Sequence, residues 1–342
     1  MRICIVTGGT GGHIYPALAL ADSFRRLYPK CKILFIGNDD RMEASVIPAA
    51  SYDFRSLHTS GLVGNIIQKG RAVAQLVKAR GIAKGYLRDF APDIVIGFGG
   101  YVSAPVMMAA AALKIPTMIH EQNSIVGKSN QLVMNKVDAI ITCYEKCEEV
   151  FPKEKVHLLG NPRATTAKES VFDPDYFASL GLEPGKKTIL IMMGSLGSSS
   201  VNELMTNALK NLDPSLQFIY ACGKDNSENL HLFDDQPAVH VVDFVDSLKV
   251  YKGIDGLICR AGATTIAELT SLGIPAILIP SPYVANNHQF YNASVLVDAG
   301  AASMIEEKDL NEKTLHDAIE NLFLDPEQWE KTAQNARKLG KP

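Results

Sequence analysis

Short, largely apolar runs typical of strands recur along this chain and alternate with stretches of helical spacing. The runs lie at residues 3–6, 33–36, 94–96, 117–119, 139–142, 188–193, 217–222, 240–244, 256–259 and 276–279. Strands that are apolar throughout are typical of parallel sheets that helices cover on both faces. The pattern therefore predicts an α/β protein built on doubly wound parallel sheets.

The two halves of the chain repeat one arrangement. An apolar strand, a glycine turn, a helical stretch and a proline-led strand follow one another at 93–119 and again at 255–278. Glycine-rich turns at 8–12 and 194–197 form a second matching pair. The chain has 342 residues, which is enough for two domains. We predict two Rossmann-like domains facing a cleft, at residues 1–162 and 163–320, followed by a C-terminal helix at 321–342.

Residues 8–12, here called the glycine turn, join the first predicted strand to a predicted helix. Their backbone N–H groups lie at the positive end of that helix, where a phosphate or diphosphate binds well. No Lys-Ser/Thr pair follows, which excludes a Walker A loop. The spacing is also a poor dinucleotide fingerprint, although Asp39 or Asp40 would serve as the ribose acid and keeps NAD binding open. His13 ends the turn as a titratable group beside the expected anion.

Three more polar segments follow predicted strands, at the sheet edge where ligands bind in such folds. They are residues 120–123 (His-Glu-Gln-Asn), 260–268 and 286–289. Small residues at the start of the second segment favour a phosphate at a helix N-terminus. Its last residue, Glu268, is either a solvated surface acid or an acceptor for a ribose diol. Together with the glycine turn, these segments predict a substrate site rather than unrelated polar loops.

Charge is unevenly distributed along the chain. Residues 1–163 carry 20 basic and 13 acidic side chains, whereas the remainder carries 14 and 24. Residues 54–88, here called the basic segment, contain no acid and mix Lys and Arg with apolar residues. This segment is either a solvated helix surface or a patch that binds anionic lipid headgroups.

No apolar run approaches the roughly 20 residues of a membrane span, and the first strand does not have the form of a signal peptide. The six scattered cysteines favour reduced thiols in the cytoplasm over a zinc site. We therefore expect a soluble or peripherally bound protein.

The motifs at 8–13, 97–101, 120–123, 160–163, 260–268 and 287–289 together resemble those of the MurG family of N-acetylglucosaminyltransferases, in glycosyltransferase family 28. The resemblance extends over nearly the whole chain. It implies a GT-B fold whose C-terminal helix returns to the first domain. It also implies inverting transfer of GlcNAc from UDP-GlcNAc to the C4 hydroxyl of MurNAc in undecaprenyl-diphosphate-MurNAc-pentapeptide (lipid I), which gives lipid II for peptidoglycan synthesis.

The same resemblance implies a place and partners for the protein. It implies peripheral attachment to the cytoplasmic face of the membrane, with anionic inner-leaflet lipids bound through the basic segment. It further implies contact with other proteins of cell-wall synthesis and no nucleic-acid partner.

Inverting transfer needs a base for the acceptor hydroxyl and stabilisation of the departing UDP. His13 is the leading candidate for the base, and Glu121 is the second. No metal or cofactor is required if a helix N-terminus, hydroxyl groups and Arg163 neutralise the diphosphate. The residues that match the family's donor-binding positions are Thr10, Gly11, Gly12, Asn123, Arg163, Ser195, Val245, Ala263, Thr264, Thr265, Ile266, Ala267, Glu268 and Gln289.

Two other classes stay open at this point. One is a different GT-B enzyme that acts on UDP-sugars, either a lipid glycosyltransferase or a UDP-GlcNAc epimerase. The other is a nucleotide-binding protein without catalytic activity.

Overall fold

The apolar runs form two parallel sheets in the computed structural model, one in each of two units of the chain. The structure describes residues 1–61, 65–194, 199–223, 231 and 233–342. The units comprise residues 1–163 and 164–342, so the chain passes from one to the other within a helix, Pro162–Glu169. The predicted pair of Rossmann-like domains is confirmed.

Within the described residues, the first sheet has seven strands in the order β3-β2-β1-β4-β5-β6-β7, all paired in parallel. The strands are β1 Arg2–Val6, β2 Lys32–Asn38, β3 Asp53–Leu57, β4 Ile94–Gly97, β5 Thr117–Glu121, β6 Ala139–Thr142 and β7 Val156–Leu158. The helices are α1 Gly11–Leu27, α2 Glu43–Ala49, α3 Ile66–Phe90, α4 Ser103–Ala112, α5 Lys128–Val133 and α6 Pro162–Glu169.

Strand β1 shows why a continuously apolar run suits this sheet. Ile3 and Ile5 belong to one core cluster, and Cys4 and Val6 belong to another. Successive side chains of a strand point to opposite faces, so helices bury both faces of β1. All four side chains are inaccessible to solvent.

The second sheet, among the described residues, has six parallel strands in the order β10-β9-β8-β11-β12-β13. The strands are β8 Lys187–Met192, β9 Leu216–Ala221, β10 Val239–Val242, β11 Gly256–Cys259, β12 Ala276–Leu278 and β13 Ser303–Met304. The helices are α7 Pro174–Ser179, α8 Ser199–Ala208, α9 Ser247–Val250, α10 Ala263–Leu272, α11 His288–Asp298, α12 Glu312–Ile319 and α13 Pro326–Leu339.

The strand order creates a topological switch point in each sheet. In the first sheet, β2 and β3 are added on one side of β1, and β4 to β7 are added on its other side. In the second sheet, β9 and β10 are added on one side of β8, and β11 to β13 on its other side. Loops diverge at such a point and leave a crevice at the carboxyl ends of the strands. The glycine turn follows β1, and segment 260–268 follows β11.

Helix α13 packs on α10 within the second unit. The side chain of Asp325 accepts hydrogen bonds from the N–H groups of Glu327 and Gln328, and Pro326 occupies the first turn. The indole of Trp329 donates to the carbonyl oxygen of Asp255 at 2.7 Å. These contacts fix the helix within its own unit, and its predicted return to the first domain stays a prediction.

Candidate active site

The glycine turn is hydrogen-bonded to a buried carboxylate, that of Glu43. Gly9 has φ +95°, a left-handed conformation that favours glycine, and helix α1 begins two residues later at Gly11. The N–H of Gly9 donates to Glu43 Oε2 at 3.0 Å, and the N–H of Asn38 donates to Oε1 at 3.0 Å. Through these two hydrogen bonds Glu43, which is inaccessible to solvent, joins the chain after β1 to the end of β2. Thr10, Gly11 and Gly12 are at least partly accessible at the start of α1.

Sequence reasoning missed Glu43 as part of this site. An acid in the first turn of a helix is ordinary because it complements the helix dipole. The fact that distinguishes Glu43 is its burial, which depends on the close approach of Gly8 and Gly37 to its side chain. A Cβ on either glycine would collide with the Glu43 side chain. The paired glycines are the only local trace of this arrangement in the sequence.

His13 has a defined tautomer. Its Nδ1 atom lies 3.1 Å from the carbonyl oxygen of Gly8. A carbonyl oxygen only accepts hydrogen bonds, so Nδ1 carries the proton in the neutral ring and Nε2 carries the lone pair. The ring is half-buried. A neutral histidine in this state can accept a proton at Nε2.

The loop after β4 packs against this histidine. Gly99 and Gly100 have φ of +99° and +81°. A Cβ on Gly99 would lie 2.9 Å from His13 Nε2, and a Cβ on Gly100 would collide with the Gly8 carbonyl. The two glycines therefore permit the contact between neighbouring loops that places the imidazole.

Strand β5 extends further than the sequence pattern predicts and includes His120 and Glu121. His120 is buried, stacks on Phe98 at 5.0 Å between ring centroids, and donates from Nε2 to the Gly160 carbonyl at 2.9 Å. Burial is the main reason why the pKa of His120 is lowered to about 4; the hydrogen bond to Gly160 opposes this shift, and the charge of the nearby His13 adds to it. His120 is therefore a neutral packing and hydrogen-bonding residue at neutral pH.

The carboxylate of Glu121 is occupied by its own loop. It accepts hydrogen bonds from the N–H of Asn123 at 3.1 Å, the N–H of Gly127 at 2.9 Å and the side chain of Asn130 at 2.9 Å. Burial raises the pKa of Glu121, and these donors, together with the side chain of Asn123, oppose that rise. This side chain orders residues 121–130 and so fixes Asn123, which is partly accessible.

Arg163 belongs to the first unit, although the sequence pattern places it at the start of the second domain. Its N–H donates to Asn161 Oδ1 at 3.0 Å, and its guanidinium lies 6.0 Å from the ring centroid of Tyr15 on α1. The arginine is thus near the helix that the glycine turn begins.

In the second unit, the start of α10 carries the residues that match donor positions. Gly262 precedes the first turn, and Ala263, Thr264 and Thr265 follow it. Glu268 is buried, so its interpretation as a solvated surface acid is wrong. Its Oε2 accepts a hydrogen bond from the hydroxyl of Tyr251 at 2.8 Å, a partner that the sequence pattern did not indicate.

A buried ion pair lies at the base of this helix start. Arg260 Nη2 is 2.7 Å from Glu307 Oε2, and Nη1 donates to the Ile279 carbonyl at 3.1 Å. The arginine thereby connects the carboxyl ends of β11 and β12 with the turn after β13. Because both charges are shielded from water, loss of either partner would leave an uncompensated charge.

The remaining donor candidates follow other strands of the same sheet. Gln289 lies in the first turn of α11, and its Oε1 accepts from the N–H of Ser281 at 2.8 Å. This bond leaves the amide nitrogen of Gln289 as the donor group of the side chain. Val245 is buried just after β10. Ser195 lies outside the described residues.

Two family models match this chain. The glycosyltransferase family 28 N-terminal domain matches residues 3–142, and the glycosyltransferase family 28 C-terminal domain matches residues 188–341. The chain belongs to glycosyltransferase family 28. The two matched regions correspond to the two sheets described above.

Individual family 28 proteins are similar over the whole length. A Bacillus cereus UDP-N-acetylglucosamine–N-acetylmuramyl-(pentapeptide) pyrophosphoryl-undecaprenol N-acetylglucosamine transferase is 40% identical, with 100% of this chain and 96% of the relative covered. The crystal structure of Acinetobacter baumannii MurG has a TM-score of 0.80 and 29% identity, over 100% of this chain and 96% of that one.

A UDP-N-acetylglucosamine 2-epimerase fold is also similar. The putative enzyme from Listeria monocytogenes has a TM-score of 0.70 over 99% of this chain and 92% of its own, at 13% identity. At that identity the likeness concerns the fold alone, whereas the family 28 relatives share sequence over both domains. The family assignment therefore favours a glycosyltransferase over the epimerase alternative.

Proposed function

We propose that this protein transfers N-acetylglucosamine from UDP-N-acetylglucosamine to the C4 hydroxyl of MurNAc in lipid I, giving lipid II and UDP. The observation that carries this proposal is the 40% identity, over the whole chain, to a transferase with that donor and acceptor in its name. The hydrogen-bonded His13 at the first switch point supplies the group that the chemistry requires.

The acceptor oxygen attacks the anomeric carbon of the sugar, and the bond from that carbon to the diphosphate oxygen breaks. The C4 hydroxyl proton passes to Nε2 of His13, while UDP leaves with the electron pair. Attack opposite the leaving group inverts the configuration. The bond from Nδ1 to the Gly8 carbonyl supports this role because it orients the ring and stabilises the imidazolium that forms.

Glu121 suits a positioning role better than that of the base. Its carboxylate already accepts hydrogen bonds from the N–H groups of Asn123 and Gly127 and from the side chains of Asn123 and Asn130, so taking a substrate proton would weaken them. We propose that it fixes Asn123, which then contacts the donor. His13 is therefore the preferred base.

We assign the donor's diphosphate to the start of α10. Backbone N–H groups at Ala263, Thr264 and Thr265 lie at the positive end of that helix, where they stabilise the charge that develops as UDP leaves. Arg163 and Ser195 would supplement them. These groups account for the charge without a metal or other cofactor.

The remaining donor contacts follow from the same placement. Glu268 would accept hydrogen bonds from the ribose hydroxyls, Val245 would meet the uracil, and the amide nitrogen of Gln289 would donate to the sugar. The other residues assigned to the donor are Thr10, Gly11, Gly12, Ile266 and Ala267. The glycine turn would also face the diphosphate of lipid I.

We further propose that α3 contacts the anionic membrane surface. The structure divides the basic segment between β3, where Arg55 pairs with Asp89 at 3.3 Å, and α3. The helix buries Ala72 and Ala79 and exposes Val73 and Val77, which are 51% and 69% accessible. Exposed basic residues on the same helix are Arg71, Lys78, Arg80 and Arg88. No helix in the described part of the chain is long and apolar enough to cross a bilayer.

The decisive experiment incubates the protein with radiolabelled UDP-N-acetylglucosamine and lipid I in detergent or vesicles. We expect lipid II and UDP in equal amounts. Formation of UDP-N-acetylmannosamine without acceptor would instead indicate an epimerase. A protein that binds UDP but makes neither product would be a nucleotide-binding protein, and thermal stabilisation by NAD alone would contradict the proposal altogether.

A further inference from the structure

A second buried side chain lies behind the ribose-binding candidate. Tyr251 is in the short turn Tyr251–Gly253 that precedes β11, and Glu268 is in the helix that follows β11. The hydroxyl of Tyr251 is 2.8 Å from Glu268 Oε2. Both residues are almost fully buried, at 2% and 4% accessibility. The fold thus brings a phenol and a carboxylate together in an environment with little water.

The direction of this hydrogen bond is fixed by the chemistry of the two groups. A carboxylate only accepts, so the tyrosine hydroxyl donates. Burial and the charge of Glu268 raise the pKa of Tyr251 well above its usual value, so the hydroxyl keeps its proton over the working pH range. A hydrogen bond to a buried charged acceptor is among the stronger ones in proteins.

We propose that Tyr251 is a positioning residue that holds the Glu268 carboxylate in the orientation that accepts the ribose hydroxyls. A free glutamate has three side-chain torsions to fix on binding, and a bond that fixes them beforehand removes that entropic cost. This inference rests on the proposed function, because it assumes a nucleoside diphosphate donor whose ribose meets Glu268. It extends that function by assigning the selection of ribonucleotides over deoxyribonucleotides to a pair of residues.

Tyr251 and Glu268 together should discriminate between ribonucleotide and deoxyribonucleotide ligands. UDP has both ribose hydroxyls, whereas 2′-deoxy-UDP lacks one of the two groups that Glu268 would accept. If Tyr251 orients the carboxylate, the affinity that the 2′ hydroxyl adds to UDP binding depends on the tyrosine hydroxyl. A tyrosine that only fills space would affect both ligands equally.

The test compares UDP and 2′-deoxy-UDP binding by titration calorimetry to the full chain and to Tyr251→Phe. We expect the Kd for UDP to rise about tenfold in the variant, which is the scale for losing one hydrogen bond to a charged group. The Kd for 2′-deoxy-UDP should rise less, because only its 3′ hydroxyl meets Glu268, so the discrimination between the two ligands falls.

The matched control is Tyr220→Phe. Tyr220 is also fully buried in the second domain, and its hydroxyl donates to Asn202 Oδ1 at 2.7 Å. We expect this variant to lose thermal stability and to keep the ratio of the two Kd values. A second variant, Glu268→Gln, should reduce the discrimination, and adding Tyr251→Phe to it should reduce it no further.

Equal weakening of both ligands by Tyr251→Phe, unchanged UDP binding, or full discrimination in Glu268→Gln would overturn the inference. So would a parent protein that binds UDP and 2′-deoxy-UDP equally. The lipid I assay on the parent protein is independent of these titrations, so a failure of the proposed transfer and a failure of the Tyr251 role are separately visible.

Discussion

The imidazole Nδ1 of His13 and the carbonyl oxygen of Gly8 are 3.1 Å apart, so the glycine turn determines which nitrogen of its own histidine carries the proton. His13→Asn tests the consequence. An asparagine amide nitrogen can replace Nδ1 as the donor to Gly8 but supplies no basic Nε2. We expect turnover to fall about 10²-fold or more, the usual scale for a lost general base, while affinity for UDP-N-acetylglucosamine stays near that of the parent.

Steady-state kinetics with lipid I and calorimetric titration of the donor check this expectation. The control is His58→Asn, which changes an exposed histidine of the same domain that pairs with Asp39. Turnover that survives His13→Asn would eliminate His13 as the base and return Glu121 to consideration.

Gly99→Ala tests whether the loop after β4 places the imidazole. Alanine would be strained at φ +99°, and its Cβ would lie 2.9 Å from His13 Nε2. A displacement of about 1 Å of a catalytic group costs on the order of 10²-fold in rate. We expect kcat to fall by that order with little change in the donor KM.

The matched control for Gly99 is Gly85→Ala on α3, where an added Cβ meets nothing within 4 Å. That change should leave kcat unaltered and raise the free energy of unfolding by about 0.5–1 kcal/mol, because alanine favours a helix interior over glycine. Equal effects of the two substitutions on kcat would show that the His13 contact is unimportant.

His120 should make the stability of the protein depend on pH. Its pKa is about 4 in the folded chain, against 6.5 for an exposed histidine, so the unfolded chain binds its proton first as the pH falls. The contribution of the neutral His120 to the free energy of unfolding is therefore present above pH 6.5 and is lost progressively as the pH falls towards 4. Between pH 7 and pH 5 the loss from this group is about 2 kcal/mol.

Urea denaturation of the parent and of His120→Gln at the two pH values measures this contribution. Glutamine can still donate to the Gly160 carbonyl but does not titrate, so the variant should lose about 2 kcal/mol less on acidification. Glu121 and the other acids titrate in both proteins and cancel in the difference. Identical pH dependence in the two proteins would contradict the shifted pKa.

Charge reversal on α3 tests the membrane proposal. Arg71→Glu, Lys78→Glu and Arg80→Glu together should weaken binding to phosphatidylglycerol vesicles by about 100-fold or more at low salt, since each basic residue near such a surface contributes about 1 kcal/mol. Parent binding should also weaken as salt screens the charges. Vesicle sedimentation measures both effects.

The control variant reverses three exposed lysines near the C-terminus to glutamate: Lys331, Lys338 and Lys341. It changes the net charge of the protein by the same amount as the triple reversal on α3. We expect this control to bind vesicles nearly as the parent does. If both triple variants lose binding to the same degree, the overall charge and not α3 is responsible.

The sequence predicted the central strands well because their apolar runs are buried on both faces. It missed β3, β7 and β13, which lie at sheet edges and whose sequences contain no continuous apolar run. The pattern also located the segments at or after strand ends that hold His13, in the first turn of α1, Glu121, the last residue of β5, and Glu268, in α10. Strand ends and glycine turns mark such positions locally.

The partners of these residues were not predictable in the same way. Glu43 and Tyr251 are single residues whose importance depends on which distant group the fold places beside them. The burial of Glu268 and the enclosure of Glu121 by hydrogen-bond donors of its loop likewise depend on tertiary structure. Only the assembled sheets distinguish these carboxylates from acids on the surface.

The strand order of the first sheet has a consequence for the synthesis of the protein. Strand β1 pairs with β4, and the loop after β4 touches His13, yet β4 leaves the ribosome long after the glycine turn. His13 is therefore synthesised well before Gly99 and Gly100, the two glycines that complete the surroundings of its imidazole. A nascent chain truncated before β4 would carry the glycine turn without the neighbour that shapes it, so the imidazole can reach its observed surroundings only after β4 and Gly100 have been made.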